Sequence, residues 1–116
     1  MHSHDEAQLT FVMSGIVQVQ TNKGRWFVPP QLAVWIPQDV SHHVEILTDA
    51  ELWLIHWQPS AILAWGPSGL PDRAFALHVT PLLGALLTTA FASDTSVEKA
   101  ELVVKLMLHE LVEAPD

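Results

Sequence analysis

The segment IVQVQTNKGRWFV, residues 16–28, decides the fold class. Val17, Val19 and Thr21 alternate with a second set that contains two glutamines, and this period of two is typical of a β-strand. The triplet NKG at 22–24 is typical of a hairpin turn, and the run RWFV follows it at 25–28. The sequence therefore predicts two antiparallel strands joined by a short turn.

Short strand-like runs continue on both sides of this hairpin. Pro29, Pro30 and Pro37 cannot donate ladder hydrogen bonds, so strands must end beside them. Residues 59–72 contain three prolines, two glycines and two serines, which predicts a loop. Residues 73–79 are either a last strand or an extended connection. The remaining strands are predicted at 8–14, 32–36, 42–47 and 51–57. Many short strands at regular spacing indicate a barrel or a sandwich.

The pattern becomes helical after Thr80. Pro81 suits the first position of a helix over about 81–92. Thr95, with Glu98 three residues later, forms a capping-box pattern that predicts a second helix over about 95–113. The chain is therefore expected to end in a hairpin of two helices.

The second predicted helix is apolar on several sides and needs two packing partners. One partner is expected to be a second copy of the chain, in contact with Val104, Leu108 and Leu111, because an exposed apolar patch usually marks an interface. The alternative is that both apolar faces pack within one subunit.

Composition excludes several classes of function. The 116 residues suit a single domain, and the absence of cysteine excludes disulfides and thiolate metal sites. The net charge is −8 with only five lysines and arginines, so we expect no contact with nucleic acid by this domain itself. No apolar run reaches the ~20 residues of a membrane span. A cytoplasmic location without membrane contact is the default expectation.

Three histidines and a glutamine form a candidate metal site. His2 and His4 stand two apart, and on an extended strand they point to the same side. Gln8 can join them, and His42 can meet the first strand if the sheet closes into a barrel. Three imidazoles and an oxygen ligand suit zinc, nickel, iron or manganese. The alternative is that a His-x-His pair near a terminus occurs by chance.

The same residues resemble two motifs of the cupin family. His2-x-His4-x-x-x-Gln8 followed by Gly15 is similar to the first motif, which normally has Glu where Gln8 stands. The run from Pro37 through Asp39 to His42 is similar to the second motif, which normally has Gly where Asp39 stands. The loss of a carboxylate at Gln8 should weaken metal binding, and Asp39 should strain its turn.

A more detailed resemblance is to the N-terminal cupin domain of AraC-type transcription regulators. It rests on HSHDEAQL at 2–9, VPP at 28–30, AVWIP at 33–37, VSH at 40–42, TPLL at 80–83 and LHEL at 108–111. The resemblance implies a mostly β protein, a cupin-type β-barrel or jelly roll followed by two helices. It also implies a homodimer that senses a small-molecule effector, with a helix-turn-helix DNA-binding domain following Asp116.

Two further side chains are candidates for an effector pocket, and two functions stay open. His56 shares a strand face with Leu52 and Leu54, so it either lines the barrel or lies in the core. Trp65 either closes over a pocket or packs against the helices. The leading hypothesis is a non-enzymatic module that binds a small molecule or metal and relays this to DNA. The alternative is a metal-dependent cupin enzyme, either a dioxygenase or an isomerase, with the metal on the histidines.

Overall fold

The computed structural model describes residues 5–114, which form seven strands and three helices. The strands are β1 (Ala7–Ser14), β2 (Val17–Thr21), β3 (Gly24–Val28), β4 (Leu32–Ile36), β5 (His42–Ile46), β6 (Glu51–Trp57) and β7 (Phe75–His78). The helices are α1 (Pro59–Trp65), α2 (Pro81–Phe91) and α3 (Val97–Leu108). None of these helices has the length and apolar character needed to cross a bilayer.

The strands form two antiparallel sheets that face each other. One sheet has the order β6-β1-β4-β7 and the other has the order β3-β2-β5. The predicted hairpin is β2 and β3, in which Val17 pairs with Val28 and Thr21 pairs with Gly24. The mostly β class with helices at the C-terminal end is thus confirmed.

The central strand β1 is buried on both of its faces. Residues 7–12 are all buried, which a strand at the surface of a sandwich could not achieve. Leu9 and Phe11 pack towards the helices, in one apolar cluster with Trp35. Val12 packs with Val17 in the second apolar cluster, which lies between the two sheets. The even-numbered side chains of β1 therefore point into the space between the sheets.

The segment predicted as a loop at 59–72 begins with a helix instead. Pro59 occupies the first turn of α1, where its fixed φ suits a helix and its missing N–H costs nothing. Ile62 and Trp65 then pack against the core cluster on the helical side of the sheet. The prolines and glycines of the segment lie mainly after Trp65, so they hid a short helix stabilised by tertiary packing.

The start of α3 differs by one residue from the prediction. Ser96 is the N-cap, and its hydroxyl oxygen accepts a hydrogen bond from the Lys99 amide at 3.1 Å. The Thr95 hydroxyl instead donates to the Thr89 carbonyl at 2.7 Å, at the end of α2. Because that hydroxyl satisfies the carboxyl end of the preceding helix, the capping function passes to the next residue.

Helix α3 ends at Leu108 and not near Glu113. Residues 109–114, here called the exit segment, turn back over the molecule. Leu111 is only 8% exposed, and the Ala114 amide donates to the Ala76 carbonyl of β7 at 2.9 Å. The exit segment therefore adds to the outer side of β7, and these contacts replace the last helical turn.

Two of the three residues expected at a dimer interface lie inside the subunit. Leu108 is fully buried, and it joins Leu111 in the cluster beneath the helices, while Val104 is partly buried against it. This face of α3 packs in the same apolar cluster as Leu9 of β1 and Trp35 of β4, and it therefore forms part of the core. The large apolar side chains that α3 leaves in solvent are instead Val97, at 81% exposure, Leu102, at 66%, and Leu106, at 43%.

Candidate functional site

One end of the sandwich, here called the mouth, collects the polar side chains of the interior. At this end β1 begins and β2, β4 and β6 finish, as the pairings of Gln8 with Ile36 and His56 and of Thr21 with His42 show. The connection at 37–41 carries the chain across the mouth from one sheet to the other.

Buried polar groups face each other across the mouth. Gln8 and Thr10 come from one sheet, Thr21 and His42 come from the other, and each of the four is no more than 5% exposed. The Gln8 amide nitrogen donates to the Thr10 hydroxyl at 2.7 Å, and its oxygen faces Nε2 of His56 at 3.2 Å. Buried polar groups need such partners, so these side chains have defined orientations.

The structure places only part of the predicted metal ligand set. His2 and His4 lie outside the described residues. Gln8 and His42 are on facing sheets at the same end, but the Gln8 oxygen already has the His56 ring as a partner. Residues 5–114 contain no group of three or more histidine, cysteine, aspartate or glutamate side chains that could hold a metal ion.

His42 has one ring nitrogen fixed by the backbone. Its Nδ1 lies 3.1 Å from the Val40 carbonyl oxygen, which can only accept a hydrogen bond, so Nδ1 carries a proton. Strand β5 and the turn before it therefore orient this ring inside the mouth.

Asp39 adopts the left-handed conformation expected of a turn that normally contains glycine. Its φ is 64°, and the Val40 amide contacts the Pro37 carbonyl at 3.4 Å across the turn. Aspartate tolerates this region better than most residues. The departure from the cupin motif is thus accommodated, and it adds a carboxylate to the rim of the mouth.

A cavity of about 450 Å³ opens at the mouth. This mouth cavity lies where three connections converge, namely the β2–β3 turn, the β4–β5 turn and the segment that leads into β7. Its lining residues are Thr21, Asn22, Lys23, Trp26, Asp39, Val40, Ser41, Asp72, Arg73 and Ala74. The volume lies within the roughly 300–1,000 Å³ of small-molecule sites.

The mouth cavity offers both signs of charge and one aromatic wall. Lys23 and Arg73 contribute two of the five basic residues of the chain, and Asp39 and Asp72 contribute carboxylates. Trp26 contributes an aromatic surface. Such a lining suits a polar ligand that has both hydrogen-bond acceptors and donors.

Arg73 also contacts the exit segment. Its Nη1 and Nη2 donate to the two carboxylate oxygens of Glu113, at 2.9 and 2.5 Å. The hydrogen bond from Arg73 and its charge hold the pKa of the Glu113 carboxyl below its ordinary value. The same two effects raise the pKa of Arg73. This fork-to-fork pair links the rim of the cavity to the last described residues.

The two residues predicted for an effector pocket have different surroundings. His56 reaches the mouth through its contact with Gln8, although the residue is exposed. Trp65 packs on α3, since Lys105 Nζ lies 4.6 Å from its ring centroid and the His109 ring donates to its carbonyl at 2.7 Å. Trp65 does not line the mouth cavity.

Sequence reasoning missed Lys23, Asp72 and Arg73 as site residues. Each lies in or beside a connection, and a scattered basic residue in a turn gives no signal of its own. A usable signal was the direction of the strands. Because alternate connections of an antiparallel sandwich lie at the same end, the turn at 22–24 and the turn at 37–41 could have been placed together.

Comparisons with known proteins agree with this architecture. The family described as the AraC-like ligand binding domain matches residues 1–109. The HTH-type transcriptional regulator NimR of Escherichia coli (strain K12) is 31% identical over 111 residues, which are 96% of this chain and 38% of that protein.

Two solved structures of ToxT from Vibrio cholerae share the fold. The wild-type protein with bound unsaturated fatty acid has a TM-score of 0.62 at 9% identity, covering 90% of this chain and 44% of that chain. An apo variant has a TM-score of 0.64 at 9% identity, and the match covers 90% of this chain and 45% of that chain. The chain therefore spans less than half the length of these relatives.

The order of the motifs, the sandwich with its C-terminal helices and the match over residues 1–109 all lead to the same assignment. The chain belongs to the AraC-like ligand binding domain family, as the sequence motifs predicted.

Proposed function

We propose that the chain senses a small-molecule effector in the mouth cavity and that it regulates transcription through a DNA-binding domain following Asp116. The single observation that carries this proposal is a cavity of about 450 Å³ with charged and aromatic walls at the end where three connections meet. The family membership and the similarity to the transcriptional regulator NimR support it. The net charge of −8 agrees with a domain that leaves contact with DNA to another part of the protein.

The effector acts only through a difference in its affinity for two arrangements of the protein. The cavity is lined by connections from both sheets, so a bound molecule contacts both sheets at once. A ligand that prefers one spacing of these connections shifts the equilibrium between arrangements. This action requires no chemical reaction, and we propose that the chain is not an enzyme.

A pair of matched variants tests the position of the effector site. Ser41→Trp fills the cavity, whereas Ser60→Trp places the same side chain on the exposed start of α1. A panel of small polar metabolites is screened by thermal shift of the 116-residue chain. A compound that binds is expected to stabilise the Ser60→Trp variant as it stabilises the unmodified chain, and to leave Ser41→Trp unchanged. Equal responses in both variants would place the effector elsewhere.

We also propose that the chain forms a homodimer in the cytoplasm. The exposed apolar side chains of α3, above all Leu102 and Leu106, support this proposal, since large apolar groups in solvent favour association. Leu106→Glu is expected to give monomers in sedimentation equilibrium, with Glu98→Gln on the same helix as the control. A dimer that survives Leu106→Glu would require another interface.

Metal binding by His2, His4, Gln8 and His42 stays a prediction. What supports it is the position of His42 at the mouth with Nδ1 on a backbone carbonyl, an arrangement common among metal-binding histidines. Coordination by the Gln8 oxygen would require it to give up its contact with His56.

A further inference from the structure

The exit segment ends beside the mouth cavity. It contacts β7 through the hydrogen bond from the Ala114 amide to the Ala76 carbonyl, and Arg73, two residues before β7, binds Glu113. The described part of the chain therefore ends at the rim of the proposed effector site.

Arg73 connects the cavity with the exit segment. It lines the cavity, and its two terminal nitrogens are paired with the Glu113 carboxylate. The side chains of Arg73 and Glu113 are 52% and 45% exposed, so this pair is open to solvent and to competitors. Glu113 occupies the guanidinium in the manner in which a ligand carboxylate would occupy it.

The remaining charges of the cavity define the chemistry of such a ligand. Lys23 provides a second cation for an acid group, whereas Asp39 and Asp72 can accept hydrogen bonds from hydroxyl or amino groups. A simple fatty or aromatic acid would leave these two carboxylates without a partner on the ligand. A compact acid that also carries several donors satisfies both kinds of group.

We propose that the effector is a small carboxylic acid bearing hydroxyl or amino groups, and that its carboxylate displaces Glu113 from Arg73 and so releases the exit segment. This inference rests on the proposed function, because it assigns the ligand class and the relay of the same cavity. Arg73 acts as a specificity-determining residue that reads the acid group. Release of Glu113 then loosens the tether of the domain that follows.

The strength of the internal pair sets the size of the expected effect. Exposed ion pairs are weak, so a ligand present in excess can replace Glu113. Removal of the Glu113 charge should raise the affinity for the acid by about two- to fivefold, because the competitor inside the chain is gone. By linkage, the acid must loosen the exit segment by the same factor.

The experiment follows Ala114 and the cavity separately in the 116-residue chain by NMR. The probe is sodium gluconate, a six-carbon acid with five hydroxyl groups; sorbitol is its uncharged counterpart, and sodium chloride matches the ionic strength. The indole N–H signal of Trp26 reports occupancy of the cavity, and amide exchange of Ala114 reports the hydrogen bond to Ala76. The variants are Glu113→Gln and Arg73→Lys.

Gluconate, but not sorbitol or chloride, is expected to shift the Trp26 signal and to speed Ala114 exchange by about two- to fivefold. Glu113→Gln should show the faster exchange without ligand and should bind gluconate more tightly. Arg73→Lys should bind it more weakly, because an ammonium lacks the fork that matches a carboxylate.

Three outcomes would overturn the proposal. If gluconate shifts Trp26 and leaves Ala114 unchanged, the cavity remains an effector site but the relay through Glu113 is refuted. If the Ala114 amide exchanges at the same rate in Glu113→Gln as in the unmodified chain, the pair between Arg73 and Glu113 has no effect on the exit segment. If gluconate affects neither signal more than sorbitol does, the ligand class is refuted, while the Ser41→Trp screen still decides whether the cavity binds an effector.

Discussion

The division of α3 into a core face and a solvent face can be tested with two leucines of the same helix. Leu108 is fully buried beneath the helices, whereas Leu102 is 66% exposed. Leu108→Ala removes three methylene-sized groups from a packed cluster that includes Trp35 and Met107. Leu102→Ala makes the same chemical change, at nearly the same cost in helix propensity, on the solvent-exposed side of the helix.

The expected magnitudes differ severalfold. A fully buried leucine replaced by alanine costs about 3 kcal/mol of unfolding free energy, from lost apolar burial and the cavity that remains. At protein concentrations low enough for the chain to be a monomer, the exposed leucine should cost less than about 0.5 kcal/mol. With an unfolding entropy of roughly 2.1 cal/mol/K for each residue, Leu108→Ala should lower Tm by about 12 °C and Leu102→Ala by about 2 °C.

Thermal unfolding followed by circular dichroism measures both values, and it is repeated at several protein concentrations. A core substitution destabilises to the same extent at every concentration, whereas a substitution at a dimer interface has an effect that changes with concentration and disappears when both proteins are monomers. The assignment of this face to the interior of the subunit would be refuted if Leu108→Ala lowered Tm by a large amount that depends on protein concentration, while alanine substitutions elsewhere in the core lowered Tm only slightly.

Three further predictions concern the turn, the metal and the acid-sensitive pair. Gly15→Ala should destabilise by about 3 kcal/mol or more, since φ is +80° and an added Cβ would clash with the Asp49 carbonyl oxygen. An unchanged urea midpoint would contradict this. Elemental analysis of the untagged chain should show a divalent metal that is lost in the His4→Ala, His42→Ala double variant, and metal retained by that variant would exclude the ligand set. The contribution of the Glu113 pair is present above the ordinary carboxyl pKa and is lost as pH falls through the lowered pKa of Glu113. The protection of the Ala114 amide, measured against the intrinsic exchange rate at each pH, should therefore fall only in acid. In Arg73→Gln that acid dependence should disappear, and its persistence would assign the titration to another group.

Much of the fold was predictable because local patterns carried it. The alternation at 16–21 predicted strand β2 and its two faces, and on one of these faces Val17 and Val19 are fully buried. Pro81 marked the first turn of α2, with Thr80 as its cap. These features depend on neighbouring residues alone, and neighbouring residues are what a sequence displays.

Errors arose where distant residues compete for the same group. The Thr95 hydroxyl could cap α3 or close α2, and only the packed arrangement of the two helices decides between them. Helix α1 exists because the core covers Ile62 and Trp65, although the composition of the segment suggests a loop. In each case the energy of a long-range contact exceeds a local preference.

The sequence by itself determined the family, the alternation of strands and turns, and the net charge of −8. Tertiary structure decided which side of α3 is core and brought Lys23, Asp39 and Arg73 to one cavity. It also placed Glu113 on Arg73, across 40 residues of chain. The physical reason is that periodicity specifies which face of an element is buried, whereas the partner of that face, and the loops that meet at one end, follow only from the packing of the whole chain.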